Sequence, residues 1–223
     1  MYLNIFSFLF LYLLICLSSF SYTQELEGNL KKYFIQEVYL SFNRTDLSDE
    51  NTINKNGFGF EVKHVYPINF LEVVSGLDFN HSVQFKKEMY ESLFAKMFNT
   101  RYAVNTIGIP FGFRKSFHAL IDWNVEMGVF TDLMISSFRK GDLKTLVPNE
   151  LFITTQNTYA INEKIRMSNS LGFYGGISAC YPVKAVDLIL KLDYKVGKTC
   201  IYSMKDDLMY NRYWRISLGA RFH

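Results

Sequence analysis

The chain has 223 residues, of which 49% are apolar and 17% aromatic, and a formal charge of +3. That length suits one large β domain, and the small, dispersed positive charge excludes a nucleic-acid surface. Four scattered histidines, His64, His81, His118 and His223, have no metal-ligand spacing, so neither a metal nor another cofactor is expected.

Residues Ile5 to Leu17 are almost unbroken hydrocarbon and lead into Ser18, Ser19, Phe20 and Ser21. This reads as a secretory signal over 1–22, followed by a short periplasmic segment over 23–32 and a β domain over 33–223; the alternative for the apolar run is an N-terminal membrane anchor. From there the apolar residues recur with a period of two, which is a strand signal and not a helical one.

The first predicted strand, Tyr33 to Phe42, sets Val38, Leu40 and Phe42 against Glu37 and Ser41. The second, Gly57 to Tyr66, opposes Phe58, Phe60 and Val62 to Glu61 and Lys63, and the third runs from Leu71 to Phe85 with Glu72 and Asp78 on its wet face. In the fourth, Tyr102 to Arg114, Pro110 falls on the inward parity and marks a bulge or local break, because proline donates nothing to a ladder. The fifth, Phe117 to Val129, carries Asp122 and Glu126 opposite Trp123, Val125 and Met127. The sixth, Met167 to Tyr181, is glycine-rich. The seventh, Val186 to Val196, presents Asp187, Lys191, Asp193 and Lys195 on one face, and the eighth, Trp214 to Phe222, presents Arg215 and Arg221.

Each of these eight segments is about long enough to cross a bilayer, and eight strands close a barrel without an unpaired edge. The connections alternate: long at 43–56, 86–101, 134–166 and 198–211, and tight at 67–70, 115–116 and 182–185. Outer-membrane barrels alternate long outer loops with short periplasmic turns in this way. The expected fold is therefore all-β, an eight-stranded antiparallel transmembrane up-and-down barrel in the outer membrane of a Gram-negative bacterium, with both termini periplasmic. A soluble lipocalin-like barrel would need the opposite polarity, oily inside and polar outside.

By parity the lumen receives Glu37, Glu61, Glu72, Asp78, Asp122, Glu126, Asp187 and Asp193 with Lys63, Arg114, Lys191, Lys195, Arg215 and Arg221. A barrel of eight strands has a lumen just wide enough for side chains to fill, so this near-balanced set is expected to form a structural charge network and to leave no open pore. Asp122 and Glu126 also have the chemistry of an acid and base or of a cation site. Cys180 and Cys200 fall at opposite ends of the barrel, too far apart for a disulfide.

Nothing in the motifs names an enzyme. There is no phosphate loop and no nucleophile elbow. His81 and Ser82 are adjacent and so point to opposite faces, whereas Ser75 shares the parity of His81 but lies well along the strand. The leading reading is a non-enzymatic structural or binding protein, such as an accessory of a secretion or surface-assembly system, acting through its outer loops or periplasmic rim; the alternatives are a small-ligand carrier or narrow channel, and a lipid-modifying enzyme. Residues 86–98 are expected to form an amphipathic helix or an upward extension of the hairpin, and Leu151 to Thr155 with Thr158 to Ile161 a small extra hairpin. Val125→Arg is expected to damage assembly, Val125 being placed near the bilayer midplane.

The strand Ile107-Gly108-Ile109-Pro110-Phe111-Gly112-Phe113-Arg114, the following Asp122 to Gly128 strand and the closing Tyr213 to Phe222 strand, together with the signal-like start, resemble the outer-membrane β-barrel proteins of Bacteroidetes-type bacteria, a broad family that includes PorT-like proteins. The resemblance implies an eight-stranded barrel in the outer membrane; the expected partners are outer-membrane lipid, the barrel-insertion machinery at the last strand and a protein partner at the outer loops. It carries over no catalytic residue. In this chain Phe222 is penultimate, where the family commonly ends on an aromatic residue.

Overall fold

In the computed structural model the described residues are 35–45, 52–68, 70–92, 95–119, 121–148, 154–183, 186–204 and 207–222. The signal-like segment and the short stretch behind it lie outside them. Ten strands are formed: β1 (Ile35–Thr45), β2 (Thr52–Asn54), β3 (Asn56–Ile68), β4 (Leu71–Ser92), β5 (Ala95–Phe117), β6 (Asp122–Pro148), β7 (Thr154–Lys164), β8 (Ser170–Val183), β9 (Val186–Met204) and β10 (Asp207–Phe222). Eight of them close a ring in which every neighbour is antiparallel: β1 with β3, then β4, β5, β6, β8, β9, β10, and β10 back to β1. The two others are additions at one end, β2 on β4 and β7 on β6.

Closure follows from the period-two pattern, since one parity of each strand must face the interior throughout. Leu40, Leu218 and Leu190 are cross-strand partners on the outside, and all three are exposed. One residue along, Ser41 and Ser217 are partners on the inside, with Lys191 next to them, and all are buried. The three short connections and both termini of the ring lie at one end, the turn end. The long hairpins stand at the other.

One boundary differs from the sequence expectation, while the local break expected at Pro110 is present. The turn between β5 and β6 spans residues 118–121 and not 115–116, so Phe117 ends one strand and Ala119 and Ile121 belong to the connection. Pairing of β5 with β4 is interrupted beside Pro110 and resumes in the same register, a local break without a bulge. The bulges of β5 with β6 lie elsewhere, between Phe98 and Arg101 and between Asn105 and Thr106.

The long loops are mostly strand. β4, β5 and β6 run for 22, 23 and 27 residues, far beyond the 9–11 that cross a bilayer. Residues 86–92 and 95–98 take the hairpin extension rather than the helix, and Leu93 and Phe94 lie outside the described residues. β7 pairs with β6 over Pro148 to Phe138, which replaces the small self-contained hairpin; Leu151 to Ile153 lie outside the described residues.

Glycines make room for one large lumen side chain. Gly112 faces Gly128 across β5 and β6, and Gly128 faces Tyr174 across β6 and β8. A Cβ on Gly112 would stand 2.6 Å from the Tyr174 hydroxyl and 2.3 Å from the Met127 carbonyl oxygen. Gly112→Val is therefore expected to lower stability by roughly 1–3 kcal/mol through overpacking, while Gly175→Ala, whose nearest neighbour is at 3.8 Å, is expected to change little. Urea midpoints of the folded barrels in vesicles check the pair.

Candidate functional site

The interior of the ring is polar and ion-paired. Near the turn end Arg114 makes a two-pronged contact with Glu37, 2.7 Å on each prong, and reaches Glu126 at 2.9 Å. Arg221 donates to the same Glu37 at 3.0 Å, and the Tyr39 hydroxyl donates to it at 2.6 Å. Lys63 joins Glu126 to Glu61. Further up, the Arg215 guanidinium contacts three carboxylates, Asp193 at 3.0 Å, Asp78 at 2.7 Å and Glu61 at 3.1 Å. Lys191 bridges Glu61 and Asp193, and Lys195 meets Asp78.

Glu72 and Asp187 hang on the edges of this set, 3.8 Å from Arg114 and 3.9 Å from Arg221. Thirteen of the fourteen residues assigned to the lumen by parity thus form one connected network of seven carboxylates and six cations. Asp122 is the exception. It stands at the turn-end rim, 3.2 Å from the exposed His118 ring, and is not brought to Glu126. Buried charges are tolerable only when paired, and each Arg or Lys of the network has at least one carboxylate.

Aromatic side chains fill the space between the charges. Tyr39, Tyr174, Tyr213 and Phe130 are all buried on the inner face, and the Lys195 ammonium sits 5.0 Å from the Phe130 ring centre. Asp132 lies above the network and accepts from Asn211 at 2.5 Å. These residues share the inward parity of their strands, the signal that would have found them. An empty tube would not need them, but a filled lumen does.

Toward the hairpin end the interior changes character. Met97, Tyr102, Val104, Met167, Ile201 and Met209 form a buried apolar cluster, packed by Met134, Leu143, Ile161 and Ile165. At the same height charged residues appear on the outward face: Arg101, Lys140 and Lys198 are exposed. Polarity is therefore inverted along the barrel axis, oily outside around the ion network and wet outside around the apolar cluster. The change marks where the surrounding medium changes from hydrocarbon to water.

The oily zone has aromatic edges. At the turn end the outward face carries Phe70, Phe117, Trp123, Tyr181 and Phe222, and toward the hairpins it carries Phe42, Phe58 and Trp214, the last stacked on Tyr194 at 4.5 Å. Trp214 to Phe222 is nine residues, the length of a tilted membrane-crossing strand.

One polar row breaks the oily face near its hairpin-end margin. His81, Asn105 and Ser136 are cross-strand partners on β4, β5 and β6. The His81 Nδ1 hydrogen bonds the Asn105 side-chain Oδ1 at 2.8 Å, and the Asn105 side-chain Nδ2 donates to the Ser136 hydroxyl at 2.9 Å. Asn105 stands between the serine and the histidine, two strand spacings of about 4.8 Å apart, so the ring does not reach the hydroxyl and no nucleophile-base pair forms. Ser75, paired with His64 and Phe111, lies farther still from His81.

No family model matches the chain, and no curated protein matches its sequence. The Bacteroidetes and PorT-like likeness accordingly stays one of sequence pattern. Similar solved structures include Neisserial surface protein A, with TM-score 0.47, 14% identity, and coverage of 85% of this chain and 96% of that one. Another is Ail, the attachment invasion locus protein of Yersinia pestis, in complex with the heparin analogue sucrose octasulfate, with TM-score 0.39, 13% identity, and coverage of 85% and 99%. A third is the N-terminal β-barrel domain of Pseudomonas aeruginosa OprF, with TM-score 0.38, 11% identity, and coverage of 84% and 96%.

Cys180 and Cys200 form no disulfide with each other and lie toward opposite ends of the ring, Cys180 paired in the sheet with Asp122 and Cys200 with Tyr210. Among the described residues no three His, Cys, Asp or Glu side chains converge as a metal site.

Proposed function

We propose that the chain is an integral outer-membrane barrel of a Gram-negative bacterium, closed to ions, that serves a structural or binding role and not an enzymatic one. The observation that carries this is the inverted polarity: exposed Leu, Phe, Trp and Ile around a charged, largely ion-paired interior, which suits lipid outside and would be costly in water. In this reading the hairpin end faces outward and the termini lie in the periplasm, with the closing Tyr213 to Phe222 strand presented to the insertion machinery. The hairpins of β4 with β5, β6 with β7 and β9 with β10 are the surfaces a protein partner would meet, including one in a secretion or surface-assembly system.

Migration in SDS gels tests the membrane barrel. The membrane-extracted protein is expected to run faster unboiled than boiled and to fractionate with the outer membrane; a protein soluble in buffer, with no shift, would disprove it. Planar bilayers test the closed lumen. No steady conductance is expected, since the ion network and the apolar cluster occupy the bore in series, and a stable ohmic current would replace this reading with the narrow channel.

A further inference from the structure

Outside the oily zone, one patch carries more positive charge than the fold requires. Arg101 on β5 and Lys140 on β6 are direct cross-strand partners, both exposed. Like charges placed opposite each other destabilise a sheet. Lys164 joins them: it is paired with Phe138, two residues before Lys140. None of the three has an ion pair among the described residues. The nearby Glu163 is engaged with Arg139, and Asp142, two positions beyond Lys140, bonds to none of them.

Directly beneath this triad the surface is graded. The row one step down the strands holds Ala103 and Phe138, and the next holds Asn105 and Ser136. Below that come Phe79, Ile107 and Leu133, which face the hydrocarbon zone. The β6 bulge turns Ile135 outward beside Ser136, and where β6 leaves β8 for β7 a cleft of about 680 Å³ opens, lined in part by Ile135, Ser136 and Lys164. From the hairpin end toward the hydrocarbon the order is cation, then Ala103 and the exposed Phe138, then amide and hydroxyl, then apolar.

Cations outermost, an amide and a hydroxyl nearer the hydrocarbon and apolar side chains beside them are the contacts that one kind of molecule needs. We propose that this face of β5, β6 and β7 binds a phosphorylated acyl glycolipid of the surrounding leaflet. Arg101, Lys140 and Lys164 take phosphate, which relieves their mutual repulsion. Asn105 and Ser136 meet the amide and hydroxyl groups of the sugar, Phe138 lies against the sugar between them and the phosphate, and Ile135 packs against the acyl chains. The inference rests on the outer-membrane reading above.

The test uses the full chain folded in detergent micelles and titrated with diphosphorylated lipid A, retention being read by native mass spectrometry. R101Q/K140Q/K164Q is expected to weaken retention about 100-fold, from the loss of three surface cations. R44Q/K55Q/K198Q removes the same charge from exposed sites on β1, on β9 and beside β3, and is expected to leave retention unchanged. Lipid A stripped of its phosphates, and phosphatidylglycerol, are expected to be retained poorly by the wild type. Equal loss in both triple variants, no loss in the first, or equal retention of phosphatidylglycerol overturns the site. Each variant is first checked for heat-modifiable migration. A wild type that shows none removes the membrane reading and the site with it, whereas folded variants that fail the lipid comparison remove the site alone.

Discussion

Arg215→Ala is expected to lower the stability of the folded barrel by roughly 3–5 kcal/mol, more than any other single truncation in the lumen. The side chain is fully buried and touches Glu61, Asp78 and Asp193, which belong to three different strands, β3, β4 and β9. Removing the guanidinium leaves three carboxylates in a space from which water is excluded. Lys191 and Lys195 still pair with them but are point charges and cannot span all three. The cost therefore arises from charge left behind more than from the loss of attraction. Ser217→Ala is the matched control, because Ser217 is equally buried on the same face of β10 and its hydroxyl makes no protein hydrogen bond. Urea unfolding in vesicles, followed through Trp123 and Trp214, should separate the two by most of that difference; equal midpoints would mean that the network adds nothing to stability.

What the sequence shows and what it hides both follow from the two media. Inside the oily zone every strand needs one face for lipid and one for the lumen, so Leu218 alternates with Ser217 and Leu190 with Lys191, and the pattern can be read without coordinates. Beyond that zone water lies outside, and strands no longer need an oily outer face. The extensions of β4, β5 and β6 therefore look like loops, and the apolar cluster of Met97, Met167 and Met209 is assembled from segments with no shared period. The bulge beside Asn99, which has φ 48°, also flips parity between Met97 and Tyr102, so no single alternation runs through both. At the turn end the difficulty is reversed. Phe117, Ala119 and Ile121 keep alternating through the connection because interfacial turns are apolar too, and this hid the true turn by several residues. The row of His81, Asn105 and Ser136 required three strands in register, which pattern alone does not supply.

Leu218→Arg is expected to cost roughly 2–4 kcal/mol of folding free energy in lipid, and Val125→Arg no more than about 1 kcal/mol. The sequence placed Val125 near the midplane, but its cross-strand partner is Lys115, whose ammonium reaches the Phe70 carbonyl at 2.7 Å in the turn-end margin. An arginine at 125 has the same short path to water and would snorkel along it. Leu218 has no such path. It lies four residues from Trp214 and four from Phe222, about 13 Å along the strand from either aromatic edge, is 68% exposed, and is flanked by Leu40 and Leu190. A guanidinium there must either stay in hydrocarbon or drag water to it. Folding yields in vesicles should rank wild type near Val125→Arg and well above Leu218→Arg. The reverse order would move the midplane toward the turns, and equal yields would mean that this face does not meet lipid.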